Sequence, residues 1–118
     1  MNNQRHQERV EHILASLMTD LRHKVSPEFL EILNSIPIRV HWDSPEHDRY
    51  GDYFGLPLDT GSSVEAAPSD IILYAKPLYE HSNGDEEELR KLTKKTLMHE
   101  IGHYLGYDHA ELTERGWN

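Results

Sequence analysis

Residues Met98 to His109 read Met-His-Glu-Ile-Gly-His-Tyr-Leu-Gly-Tyr-Asp-His, and no other stretch constrains this chain as tightly. His99 and His103 are four residues apart, so on a helix they stand on one face, one turn above the other. Their imidazoles are then close enough to share one metal ion. Glu100 projects from an adjacent part of the same helix, beside such an ion rather than on it. This His-Glu-x-x-His spacing suits two histidines that bind zinc and a glutamate that handles the proton of an activated water. Gly106 can adopt the left-handed conformation that ends a helix and turns the chain back. His109 then comes round as a third nitrogen donor. Three protein donors with one open position make the pattern of catalytic zinc, whereas structural zinc is closed by four.

Composition sets the background. With nine histidines in 118 residues, a chance His-Glu-x-x-His is expected about once in fifteen such chains, and requiring Gly106 and His109 lowers that by roughly a further two hundredfold. The competing reading is a surface helix carrying polar histidines, and the strong helical pattern ending at an expected stop weighs against it. There are no cysteines, so a transition metal has only histidine and carboxylate to hold it. A net charge of −9 argues against a nucleic-acid-binding surface. The length suits one domain spanning residues 1–118. The first twenty residues mix Arg5, Glu8, Arg9, Glu11 and Asp20 with apolar positions, unlike a signal peptide, and no apolar run approaches membrane-spanning length. A cytoplasmic protein without a membrane partner is the expectation.

Along the chain, Val10, Ile13, Leu14, Leu17, Met18 and Leu21 form one apolar stripe of a first helix. His6, His12 and His23 fall beside it and read as solvated. Ser26-Pro27 starts a second helix that carries Phe29, Leu30, Leu33 and Ile36. Ile38, Val40 and Trp42 alternate with Arg39 and His41, the period of a half-buried strand. Asp43 to Asp52 reads as a loop, Tyr53 to Leu58 as a second, irregular strand and Gly61-Ser62-Ser63 as a turn. Ile71 to Ala75, after Pro68-Ser69-Asp70, is the most apolar run and reads as an inner strand stopped by Pro77. Asn83-Gly84-Asp85 turns into a long helix, with Asp85 as cap and Glu88 completing a capping box. Leu89, Leu92, Leu97, Ile101 and Leu105 supply its buried stripe, over roughly 30 Å at 1.5 Å per residue. Glu111 to Arg115 reads as a helical turn, and Trp117 as a cover for the core edge.

From the Ile38 strand to Trp117 the sequence resembles the small zincin-like metallopeptidases, the mini-zincins. The likeness rests on Tyr53-Phe54-Gly55-Leu56-Pro57, on Pro68-Ser69-Asp70-Ile71-Ile72-Leu73-Tyr74, and on Glu87-Glu88-Leu89-Arg90 leading into His99-Glu100-Ile101-Gly102-His103. Gly106 and the closing Glu114-Arg115-Gly116-Trp117 fit as well. The resemblance implies an α+β minimal zincin-like fold: two N-terminal helices, a small mixed sheet, and an active-site helix carrying His-Glu-x-x-His. It also implies zinc held by His99 and His103, with Glu100 as general base. Members commonly have aspartate at the third-ligand place; here His109 keeps the spacing and Asp108 precedes it. His109 is the favoured third ligand and Asp108 the alternative ligand or supporting partner. No methionine follows the motif, so the methionine turn of the metzincins is absent.

The implied activity is zinc-dependent hydrolysis of peptide bonds in a peptide or protein substrate. Two alternatives accompany it. One is a metal-binding module that acts by binding a partner without cleavage. The other is a YbeY-type endoribonuclease, which the Gly106-Tyr107-Asp108-His109 segment also resembles; Glu100 and the acidic charge weigh against it. Three histidines would also suit nickel, copper or iron.

Overall fold

The computed structural model describes residues 2–55, 70–105 and 109–114. Helix α1 spans Asn2–Lys24 and α2 spans Pro27–Ser35. Strand β1 is Ile38–His41, β2 is Gly51–Phe54 and β3 is Asp70–Tyr74. Helix α3 follows at Ala75–His81, α4 at Glu86–Tyr104 and α5 at His109–Glu114. The result is a small α+β unit whose mixed, three-stranded sheet is compatible with a zincin-like fold. Among the described residues no helix is long and apolar enough to cross a membrane.

The stripe predicted on α1 is the face it buries: Val10, Ile13, Leu14, Leu17, Met18 and Leu21 are all at most 9% exposed. They pack with Leu78, Leu89, Leu97 and Ile101, so α1 closes over α3 and α4. At about 1.5–3 kcal/mol for each large side chain withdrawn from water, this seam is a principal source of stability. His6 departs from the solvated reading. It is half-buried, its ring stacked on Tyr79 with centroids 3.7 Å apart, and only His12 and His23 stand exposed.

In the sheet, β3 lies between β1, to which it runs parallel, and β2, to which it runs antiparallel. Ile71 and Leu73 are fully buried, as an inner strand requires, while Arg39 and His41 on β1 face outward. β2 begins at Gly51, two residues before the predicted start and inside the stretch read as loop. The alternation signal is weak there because Gly51 and Asp52 are not strand formers; pairing with Leu73 and Ile72 makes them strand. Leu56 to Leu58 and the Gly61-Ser62-Ser63 turn lie outside the described residues.

β3 ends at Tyr74, before Pro77 as expected and one residue short of the predicted Ala75, and Pro77 itself lies in a helix. It is the third residue of α3, within the first turn, where its missing N–H has no helical partner to lose. The start of α3 is anchored across the sheet edge, where the Lys76 N–H donates to the Trp42 carbonyl at 3.0 Å. Asn83 and Gly84 then take left-handed φ of 55° and 70°, which makes the predicted turn into α4. The capping box does not form: Asp85 has the extended backbone of a cap, but its side chain makes no cap hydrogen bond. Glu86, Glu87 and Glu88 still place negative charge at the positive helix end.

Helix α4 extends about 28 Å, close to the length expected. Its buried face is rotated from the leucine-only stripe. Thr93 and Thr96 are buried with Leu89, Leu97 and Ile101, whereas Leu92 and Leu105 are half-buried. Thr96 satisfies its hydroxyl on the Leu92 carbonyl at 2.8 Å, as a threonine inside a helix can. α5 begins two residues earlier than the predicted turn. Arg115 and Trp117 lie outside the described residues, as does the Phe29 side chain.

Candidate active site

The long amphipathic pattern that forms α4 also carries the motif. His99, Glu100 and His103 occupy its last two turns, and Leu105 caps it with helical φ and ψ. The two histidine Nε2 atoms face each other 3.0 Å apart, with ring centroids 4.6 Å apart and planes at 85°. Two nitrogens each bound to one zinc at tetrahedral angles lie about 3.4 Å apart. The pair therefore fits a shared metal with a shift of a few tenths of an ångström, and the donor set of imidazoles suits zinc. Among the described residues no third histidine, aspartate or glutamate joins them. Gly106 and Asp108 lie outside the described residues, as does the side chain of His109, whose backbone opens α5.

Glu100 sits between the two histidines in sequence and is only 6% exposed. Burial disfavours its charged form and pushes its pKa up to about 7; the nearby Asp52 charge adds to the rise and Arg49 opposes it. A carboxylic acid tuned to that range can take up and give back a proton near neutral pH.

Facing the motif, β2 and the turn before it contribute residues that sequence reasoning missed. A cleft of ≈ 450 Å³ is lined by Arg49, Asp52 and Tyr53 on one side and by His99, Glu100 and His103 on the other. Asp52 pairs with Ile72, which puts Tyr74 diagonally across from it on the same face of the sheet. The buried Tyr74 hydroxyl donates to Asp52 Oδ2 at 2.8 Å, and burial together with this bond pushes the phenol up to about 12. Arg49 donates to the same Asp52 oxygen at 3.4 Å and to Glu46 at 2.8 Å. The network holds one cation and one anion at the rim of the cleft. Tyr74 is one of six tyrosines in the chain, and sequence spacing does not distinguish it from Tyr79, Tyr104 or Tyr107 as a candidate for the site. Arg49 and Asp52 carry no sequence signal, because they reach the site only through strand pairing.

Gly51 sets how closely β2 approaches α4. A Cβ there would come within 2.9 Å of Thr96 Cγ2 and 3.0 Å of the Ile72 carbonyl oxygen. Only glycine lets the strand lie this close to the helix turn that precedes Glu100.

The helix-borne pair of imidazoles, the buried carboxyl and the small mixed sheet agree with the comparison to known families. The zincin-like metallopeptidase family model matches residues 35–117. The chain belongs to the zincin-like metallopeptidase family. No curated protein matches it. The matched segment runs from the end of α2 past α5, so it contains the whole sheet and α4; α1 lies outside it.

Proposed function

We propose that this protein is a zinc-dependent peptidase in which His99, His103 and His109 hold the metal and Glu100 is the general base. The observation that carries the reading is the facing pair of histidine nitrogens, 3.0 Å apart on α4, with the buried Glu100 carboxyl at the same cleft. His109 is assigned by its spacing after His103, with Asp108 the alternative. When bound, zinc supplies a Lewis acid that polarises a peptide carbonyl and acidifies a water molecule.

The protein's own groups do the rest. Glu100 takes a proton from the water that attacks the carbonyl and delivers it to the departing amine, acting first as base and then as acid. Burial of Glu100 keeps bulk water from competing for that proton. The substrate is a peptide or protein segment lying in the cleft between β2 and α4. Among the described residues β2 is an edge strand, so an extended peptide can add to it through main-chain hydrogen bonds.

The test is a broad peptide library presented to protein loaded with stoichiometric zinc. Cleavage is expected, with Glu100→Ala abolishing turnover while zinc is retained, and His103→Ala losing the zinc on desalting. Absence of any cleavage by the loaded protein refutes the catalytic reading and favours a metal-binding interaction module. Zinc-dependent cleavage of structured RNA in place of peptides favours the ribonuclease alternative.

A further inference from the structure

Beside its buried stripe, α1 carries a polar ridge. Arg5, Arg9, His12, Ser16, Asp20 and Lys24 follow one another at spacings of three and four, so they lie along one side of the helix from end to end. On α4, Glu86, Arg90 and Lys94 form a second ridge at four-residue spacing. The two ridges border one groove, with the Arg5 end beside Glu86 and the Lys24 end beside Lys94. Arg90 bridges its middle, donating to Ser16 Oγ at 3.0 Å and to Asp20 Oδ2 at 2.6 Å. A cavity of ≈ 590 Å³ opens on one side of this bridge and one of ≈ 310 Å³ on the other. Arg90 lies roughly 13 Å along α4 from His99, and α1 lies outside the segment that matches the family.

The groove differs in sign from the chain. The net charge is −9, yet the two cavities are lined by Arg5, Arg9, Lys24, Arg90 and Lys94 against Glu8, Asp20 and Glu86. Arg90 takes up Asp20, although Glu86 stands four residues before it in place for an ordinary helical pair. Arg5, Arg9, Lys24 and Lys94 make no ion pair among the described residues. Ile13, Leu17 and Leu21 show apolar edges between these cations.

From Arg5 to Lys24 the groove follows α1 for roughly 28 Å, the length of about eight extended residues. A single small anion fills one cavity and leaves the other. Glu8 and Glu86 interrupt the cations: they repel the unbroken charge of a nucleic-acid strand but can accept N–H groups from a polypeptide. We propose that the groove between α1 and α4 docks an acidic, extended segment of a partner polypeptide, its carboxylates on Arg5 and Arg9 at one end and on Lys24 and Lys94 at the other. Arginine forks suit carboxylates, and apolar residues of the segment meet Ile13, Leu17 and Leu21. This site stands apart from the metal motif and does not depend on the peptidase reading.

The test is fluorescence anisotropy with full-length protein and a labelled peptide of about eight residues, glutamate alternating with serine and one central leucine. Binding is expected with and without zinc, at least about tenfold weaker at about 0.5 M than at about 0.05 M salt, and absent for the same peptide with lysine in place of glutamate. The double variant Lys24→Glu/Lys94→Glu should weaken binding at least about tenfold and Arg5→Glu about threefold. Lys91→Glu should change little, because Lys91 lines neither cavity and already reaches Glu87 and Glu88 at 3.8 Å. Arg5, Lys24 and Lys94 are exposed, so the fold tolerates their exchange, and the salt and lysine-peptide arms use the unaltered chain. No binding, or binding that ignores these variants, overturns the proposal, as does binding that requires zinc. Sensitivity at one end alone overturns the groove as a continuous site. Equal competition by inorganic phosphate or by a short oligothymidylate overturns the polypeptide as occupant. Dimers of the unaltered chain that the same variants dissolve replace the partner with a second copy and overturn it too.

Discussion

Replacing Glu100 with glutamine removes the only buried carboxyl among the described residues while keeping its shape. In metal-free protein the carboxyl has a pKa of about 7 instead of its ordinary 4.5. The unfolded chain therefore releases this proton first. Below about 4.5 the group is neutral in both states and costs nothing; between 4.5 and about 7 the folded state keeps a proton the unfolded state has lost, so stability falls as pH rises. At 1.36 kcal/mol per pH unit the loss reaches at most about 3 kcal/mol, and above pH 7 it is constant. Glutamine has no such term. Urea unfolding with a chelator present, at about pH 4.5 and about pH 8.5, should show Glu100→Gln gaining roughly 2–3 kcal/mol over wild type at the higher pH relative to the lower. Equal differences at the two pH values would refute the claim that Glu100 is held in a desolvated site. Saturating zinc should shrink the effect, because a cation beside the carboxylate favours its charged form.

Gly51→Ala should destabilise by about 1–3 kcal/mol in thermal or urea unfolding, since its Cβ would meet a backbone carbonyl that cannot swing aside. Asp52→Asn removes the charge and acceptor that help to raise the Tyr74 phenol; its pKa should drop from about 12 toward 10 but stay above it through burial, as read from tyrosinate absorbance. Leu97→Ala, at a fully buried position on α4, should cost about 2–5 kcal/mol in urea unfolding.

What the chain could reveal by itself is what local geometry determines. The stripe on α1 and the spacing of His99 and His103 follow from 3.6 residues per turn, so they needed no knowledge of neighbours. The same holds for Glu100 beside the pair and for the turn at Asn83-Gly84, where a left-handed backbone is a property of those residues. The Ile71 to Tyr74 strand was legible because four consecutive residues are apolar, with Ile71, Ile72 and Tyr74 strong strand formers. The tertiary structure decided the rest. Only pairing with β3 turns Gly51 and Asp52 into strand and carries Asp52 and Arg49 to the histidines. Packing against α1, β2 and β3 chose Thr93 and Thr96 over Leu92 as the buried face of α4. These contacts join residues tens of positions apart, and no periodicity within one segment encodes which distant segment it will meet. The facing geometry of His99 and His103 is thus written in the helix, while the cleft they face and the desolvation of the carboxyl beside them exist only once the sheet is assembled.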